Sequence, residues 1–147
     1  MNAQELLKAK GSLKVVLTGK DGQVKEEHFF DNLVVTTGKN FIASRMVGTS
    51  AAVMSHMAIG SSSTSAAAGD TALGSELGRV ALASSSASAN VVTYTATFPA
   101  GTGTGAVVEA GILNASSSGT LLCRTVFAVV NKGADDAMSI TWTVTVS

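Results

Sequence analysis

Two stretches of the chain alternate apolar and polar residues without a break. Over residues 90–98, Val92, Tyr94, Ala96 and Phe98 fall on one side of an extended backbone and Val91, Thr93, Thr95 and Thr97 on the other. Over residues 138–146, Met138, Ile140, Trp142, Val144 and Val146 alternate with Ser139, Thr141, Thr143 and Thr145. A period of two marks a strand with one face in a core, so both segments are predicted as half-buried strands, with Tyr94 and Trp142 on the inner face.

Residues 12–18 and 23–30 flank Gly19, Lys20, Asp21 and Gly22. The Asp-Gly step supplies the positive backbone angles of a tight turn, which predicts a β-hairpin. Residues 33–35 extend the same sheet, and further strands are predicted at 79–83, 107–113 and 121–130. Turn signals follow at 114–119 and 131–136. Strands meeting turns every ten residues or so predict a mainly β protein, a single antiparallel β-sandwich or jelly-roll of about eight strands.

Helical spacing occurs in two places. Phe41, Ile42 and Met46 recur at helical intervals within residues 38–47, with Thr36 and Thr37 as cap candidates and Gly48 as the stop. Residues 2–10 form a short helical arm in which Asn2 and Glu5 make a capping pair. At about two turns that arm is marginal by itself. Residues 54–59 are compatible with a strand, whereas the Ser- and Ala-rich run 61–69 has neither period and reads as a long surface loop.

Charge divides the chain unevenly. Ten of its twenty charged residues lie within residues 1–31, and eight lie from Met46 onward. The expected organisation is a charged N-terminal arm and hairpin, 1–31, continuous with a β domain over 32–147. A surface so poor in Lys and Glu resembles a buried contact more than the face of a monomer, so self-association is expected. Gly, Ser and Thr make up a third of the chain, a composition that favours strands, turns and uncharged polar surface.

Net charge is zero, which removes the electrostatic basis for a nucleic-acid or membrane-surface partner. The lone Cys123 forms no intramolecular disulfide, no stretch has the apolar core of an export signal, and cytoplasmic synthesis is expected.

Candidate chemistry is sparse. The Gly101, Gly103, Gly105 run lacks the following helix that a phosphate loop needs, and reads as a flexible hairpin connection. His28 and His56 have no second ligand at metal spacing, so no metal and no cofactor are expected. His56, between Met54 and Met57, reads as a core or interface histidine, and Cys123 as a packed thiol. Asp135 and Asp136 read as solvated turn carboxylates. No nucleophile, base and orienting group stand at recognisable spacing, which argues against an enzyme. Glu109 lies inside a strand; it either pairs with Arg79 or Arg124, within the chain or between subunits, or faces solvent from an edge strand. Asn2, Glu5, Leu6, Leu7 and Lys8 form a candidate docking arm.

Several segments in order resemble a family of small virion proteins of tailed bacteriophages. They are NLVVTTGKNFIA (32–43), MSHMAIG (54–60), GDTALGSEL (69–77), AGTGTGA (100–106), EAGI (109–112), LLCRTVF (121–127) and VNKG (130–133). The resemblance runs from about Leu33 to the C-terminus. It implies a structural component of the particle, most specifically a capsid decoration, or cement, protein on the exterior of the phage head. Its partners would be the major capsid protein and further copies of itself, as a trimer or dimer. The alternative within the same resemblance is a tail- or fibre-associated module that recognises host-surface saccharide.

Overall fold

The computed structural model describes residues 8–48 and 51–147. Nine strands and one helix follow one another: β1 (Ala9–Thr18), β2 (Val24–Val34), α1 (Thr36–Arg45), β3 (His56–Gly60), β4 (Glu76–Ala81), β5 (Ser84–Ser88), β6 (Val91–Phe98), β7 (Gly105–Leu113), β8 (Leu121–Lys132) and β9 (Ala137–Val146). All strand pairs are antiparallel, in one sheet of order β4-β3-β7-β8-β2-β1-β9-β6-β5. The mainly β class holds, with nine strands rather than eight.

Connectivity forces that sheet to curl. Its two edge strands, β4 and β5, are consecutive in the chain and separated by only Leu82 and Ala83. A flat sheet would hold its edges about 38 Å apart, eight spacings of about 4.8 Å. The link from Ala81 to Ser84 spans at most about 11 Å. The sheet therefore wraps into a half-barrel. Leu82 N–H donates to Ser55 O at 2.9 Å and Ala83 N–H to Thr95 O at 2.7 Å, fixing the corner. Opposite it, β2 joins the two halves: Gly11 to Thr18 pair along most of its length, whereas only Leu33 and Val34 reach β8.

The core fills the concave side. Leu13, Val15 and Leu17 point inward from β1, and Met138, Ile140, Trp142 and Val144 from β9, all buried. Leu13, Trp142 and Tyr94 lie in one cross-strand row, as the alternation predicts. The expectation that residues 1–31 form an arm plus hairpin is corrected at its inner end: Ala9 and Lys10 are strand, not helix, paired with Val146 and Thr145. Strand β1 sits between β2 and β9 and supplies core residues, so the hairpin completes the domain.

Helix α1 closes one end, with Phe41 and Ile42 packed on the core and Met46 exposed. Neither threonine caps it. Val35 holds the N-cap position, and Thr37 Oγ1 instead donates to Leu121 O at 2.8 Å. The helix approaches β8 so closely at Gly38 that a Cβ there would overlap the Leu122 carbonyl.

Two connections differ from expectation. The glycine run 101–105 does not turn a hairpin: β6 pairs with β5 and β9, β7 with β3 and β8, so the segment crosses from one half of the sheet to the other. It is packed as well, since Gly103 lies against Ile59 and Gly78. Strand β5 went unpredicted because Ser84, Ser85, Ser86, Ala87 and Ser88 carry no apolar signal.

Candidate functional site

The outer face of β3, β7 and β8 is covered. Residues 61–75 leave β3 and return to β4 across it, burying Ala58, Leu113 and Leu121 beneath Leu73 in a second small core. This explains why β7 and β8 are buried on both faces over 109–113 and 121–125.

Glu109 and Arg124 are the polar centre of this cover. A register shift in the β7–β8 ladder between Val107 and Glu109 sets Glu109 opposite Val126 and Gly111 opposite Arg124, so the two charged residues are diagonal neighbours. Arg124 Nε and Nη2 each lie 3.1 Å from Glu109 Oε1. Glu109 is 0% and Arg124 2% exposed. The carboxylate also accepts backbone N–H groups of Ser62 (2.9 Å), Gly74 (2.8 Å) and Ser75 (2.8 Å). The guanidinium donates onward to Asp70 Oδ2 at 2.9 Å and Thr64 O at 3.0 Å. Asp70 Oδ2 in turn accepts Ala67 N–H at 2.9 Å. Both ends of the 61–75 segment and its middle are thus bound to one ion pair. Gly60 is required beside it: a Cβ there would stand 2.5 Å from Glu109 Oε2 and from Ser75 O. Burial of the pair is tolerable because its lone pairs and N–H groups have partners.

The sequence expectation therefore resolves for Glu109 as a pair with Arg124 inside the chain. Arg79 goes elsewhere: it binds Glu76 at 2.6 Å and donates to Ala115 O and Ser118 O, each at 2.9 Å, which holds the 114–118 turn. Of the docking arm, Asn2, Glu5, Leu6 and Leu7 lie outside the described residues. Lys8 exchanges both backbone hydrogen bonds with Ser147, at 2.6 and 2.8 Å.

A second polar cluster was missed. Asp136 is not a solvated turn residue but is 5% exposed. Its carboxylate accepts Gly133 N–H at 2.8 Å and meets Lys25 Nζ at 3.1 Å. Those contacts, the Gly133 N–H first, hold its carboxyl below the ordinary value. Lys132 is buried beside it and donates to Pro99 O at 2.9 Å and Asp136 O at 2.6 Å. Loss of water pulls the ammonium below its usual pKa, and Asp136 opposes that. The cluster ties the β8–β9 crossover to the β6–β7 crossover.

None of these groups forms a reactive set. Ser55 Oγ lies 2.8 Å from His56 Nδ1, yet the two are adjacent residues on half-buried backbone and no orienting carboxylate is bonded to the imidazole among the described residues. His28 lies 3.1 Å from Glu26 and stacks on Phe30, which stacks on Phe127. Cys123 is buried, and desolvation drives its thiol pKa strongly upward. Among the described residues no three metal-ligating side chains converge, and no helix is long and apolar enough to cross a membrane.

The outer face of β1 and β2 presents one large unshielded ring. Phe29 is 71% exposed, with Lys14 Nζ 5.9 Å from its centroid, and it borders a shallow groove of about 420 Å³ with Ser12, Asp31, Thr141 and Thr143. No protein-family model, no curated protein and no solved structure matches the chain.

Proposed function

We propose that this protein is a non-enzymatic virion component, a decoration protein that docks on the exterior of a phage head and bridges subunits of the major capsid protein. The reading takes the two halves of the curled sheet, joined through β2 and the β4–β5 corner, as the facing layers of a rigid sandwich. The observation that carries it is the fastening of residues 61–75. A Ser- and Ala-rich surface segment, mostly exposed, is bound along its length to a buried ion pair that no catalytic group uses. An ordered segment loses little conformational entropy when it docks, so its contacts contribute to affinity with little ordering cost. Bridging adds contacts that must be broken before the shell opens, and no bond chemistry is required. Synthesis in the host cytoplasm and self-association belong to the same reading.

The alternative, a tail or fibre module for saccharide, draws on Phe29. Trp142 is buried and Tyr94 half-buried, so Phe29 is the ring available as a platform, flanked by Asp31 and hydroxyl groups. The charge-poor surface and the shallowness of the groove beside that ring favour the shell. Cryo-EM of a particle carrying the protein decides between them: density on the head exterior at subunit junctions is expected. Density confined to the tail would favour saccharide recognition, and absence from the particle would overturn both.

A further inference from the structure

The two edges of the sheet are treated differently. Edge strand β4 is guarded: its ladder with β3 shifts register between Ile59 and Gly60, and it carries the Arg79–Glu76 pair with the 114–118 turn bound to Arg79. Edge strand β5 has none of this. Its five residues are all exposed, they pair with β6 in unbroken register, and they include no Pro, Lys or other charge. No charged residue occurs anywhere between Arg79 and Glu109. Among the described residues, nothing pairs with the other side of β5.

An open, regular, neutral edge is a template for another strand, and proteins that must stay single protect such edges. We infer that β5 is the edge through which two copies of this chain pair, antiparallel, about a two-fold axis near Ser86. The occupant follows from charge and symmetry. A two-fold axis sets every charge near it against its own copy, so an edge built for self-pairing must be neutral. Ser84, Ser86 and Ser88, and Thr93 and Thr95 behind them, meet that condition on one face, while on the other Arg45 lines a groove with Ser85 and Ala87. Each chain has one unguarded edge, so the contact is isologous and closes at two copies. The inference refines the self-association in the proposed function, but its geometry stands without the shell.

The test uses the purified full chain. Sedimentation velocity across the micromolar range is expected to show a monomer–dimer equilibrium, with amides of β5 gaining exchange protection as concentration rises. Ser86→Lys and Ser86→Glu, at an exposed position, should each weaken dimerisation at least about tenfold by placing like charges across the axis. An equimolar mixture of the two should restore it. A wild-type chain that stays monomeric at high micromolar concentration, or a dimer without β5 protection, overturns the inference. So do variants that dimerise like wild type, or a mixture of folded variants that fails to recover. Binding to undecorated shells is measured separately, and a monomer that still binds them sinks this inference alone.

Discussion

Arg124 reaches Glu109 at 3.1 Å across the β7–β8 ladder, and three backbone N–H groups of the covering segment converge on the same carboxylate. Removing Glu109 takes the carboxylate from a buried guanidinium, which keeps Asp70 and Thr64 O as acceptors, and from three part-buried backbone donors. Glu109→Ala should therefore cost about 3–5 kcal/mol. Thermal unfolding measures the loss, and hydrogen exchange locates it. Amides of Ser62, Gly74 and Ser75 should lose protection before the β1–β9 ladder does, and uniform loss would show that the pair does not fasten the segment.

Gly38→Ala tests the seat of α1. Alanine ordinarily stabilises a helix by about 1 kcal/mol over glycine. Here its Cβ would overlap the Leu122 carbonyl, which is backbone and cannot rotate away. The expected sign is reversed, a destabilisation of about 1–3 kcal/mol. A variant with unchanged or raised Tm would mean that α1 shifts freely on β8.

Tyr94 is the chain's single tyrosine, so its ionisation can be followed by ultraviolet absorbance without overlap from another phenol. Burial pushes its pKa up to about 12. The phenol should titrate well above the usual tyrosine range while the fold persists. Because the folded pKa is raised, this residue's contribution is complete below the ordinary value of about 10 and is lost as pH rises above it. Ordinary titration of Tyr94 in folded protein would place the ring in solvent.

Asp136 and Lys132 give a pH dependence of the same sign in two windows. The folded pKa of Asp136 lies below its ordinary 3.8, so the unfolded chain binds more protons in that interval. Its stabilisation is present above 3.8 and is lost as pH falls through the folded value. Lys132 is pulled below 10.5, so stability rises with pH between its folded value and 10.5 as the buried ammonium is discharged. Asp136→Asn should flatten the acid limb of a stability–pH curve and Lys132→Met the alkaline rise. If both limbs keep their wild-type slopes, the cluster is solvated.

What the sequence disclosed depended on where each hydrogen bond comes from. Strands β6 and β9 were legible because Val92 to Phe98 and Met138 to Val146 write their burial as alternation. The first hairpin was legible because Asp21-Gly22 has one good conformation. Strand β5 was not, since four serines and an alanine extend only because β6 offers an edge to pair with. For Glu109 the sequence left open a pair with Arg79, a pair with Arg124 or a solvent-facing edge position, and the bulge that selects Arg124 leaves no mark in side-chain pattern. The backbone donors around Glu109, contributed by Ser62, Gly74 and Ser75, are equally silent, because every residue but proline has an N–H. Asp136 was misplaced because turn composition says nothing about Lys25, which reaches it from 111 residues away.

The place of β1 in the sheet sets an order of events during synthesis. Its neighbours are β2, made immediately after it, and β9, made after every other described strand. Leu13, Val15 and Leu17 are therefore translated early but find Trp142, Ile140 and Met138 only when the final described strand emerges. Until then the first hairpin offers an apolar face and an open ladder to whatever is nearby. Long-range closures of this kind are slow and expose chains to association while they wait. Completion of β1 thus waits for β9, and loss of β9 would leave β1 paired with β2 alone, with Leu13, Val15 and Leu17 deprived of Trp142, Ile140 and Met138.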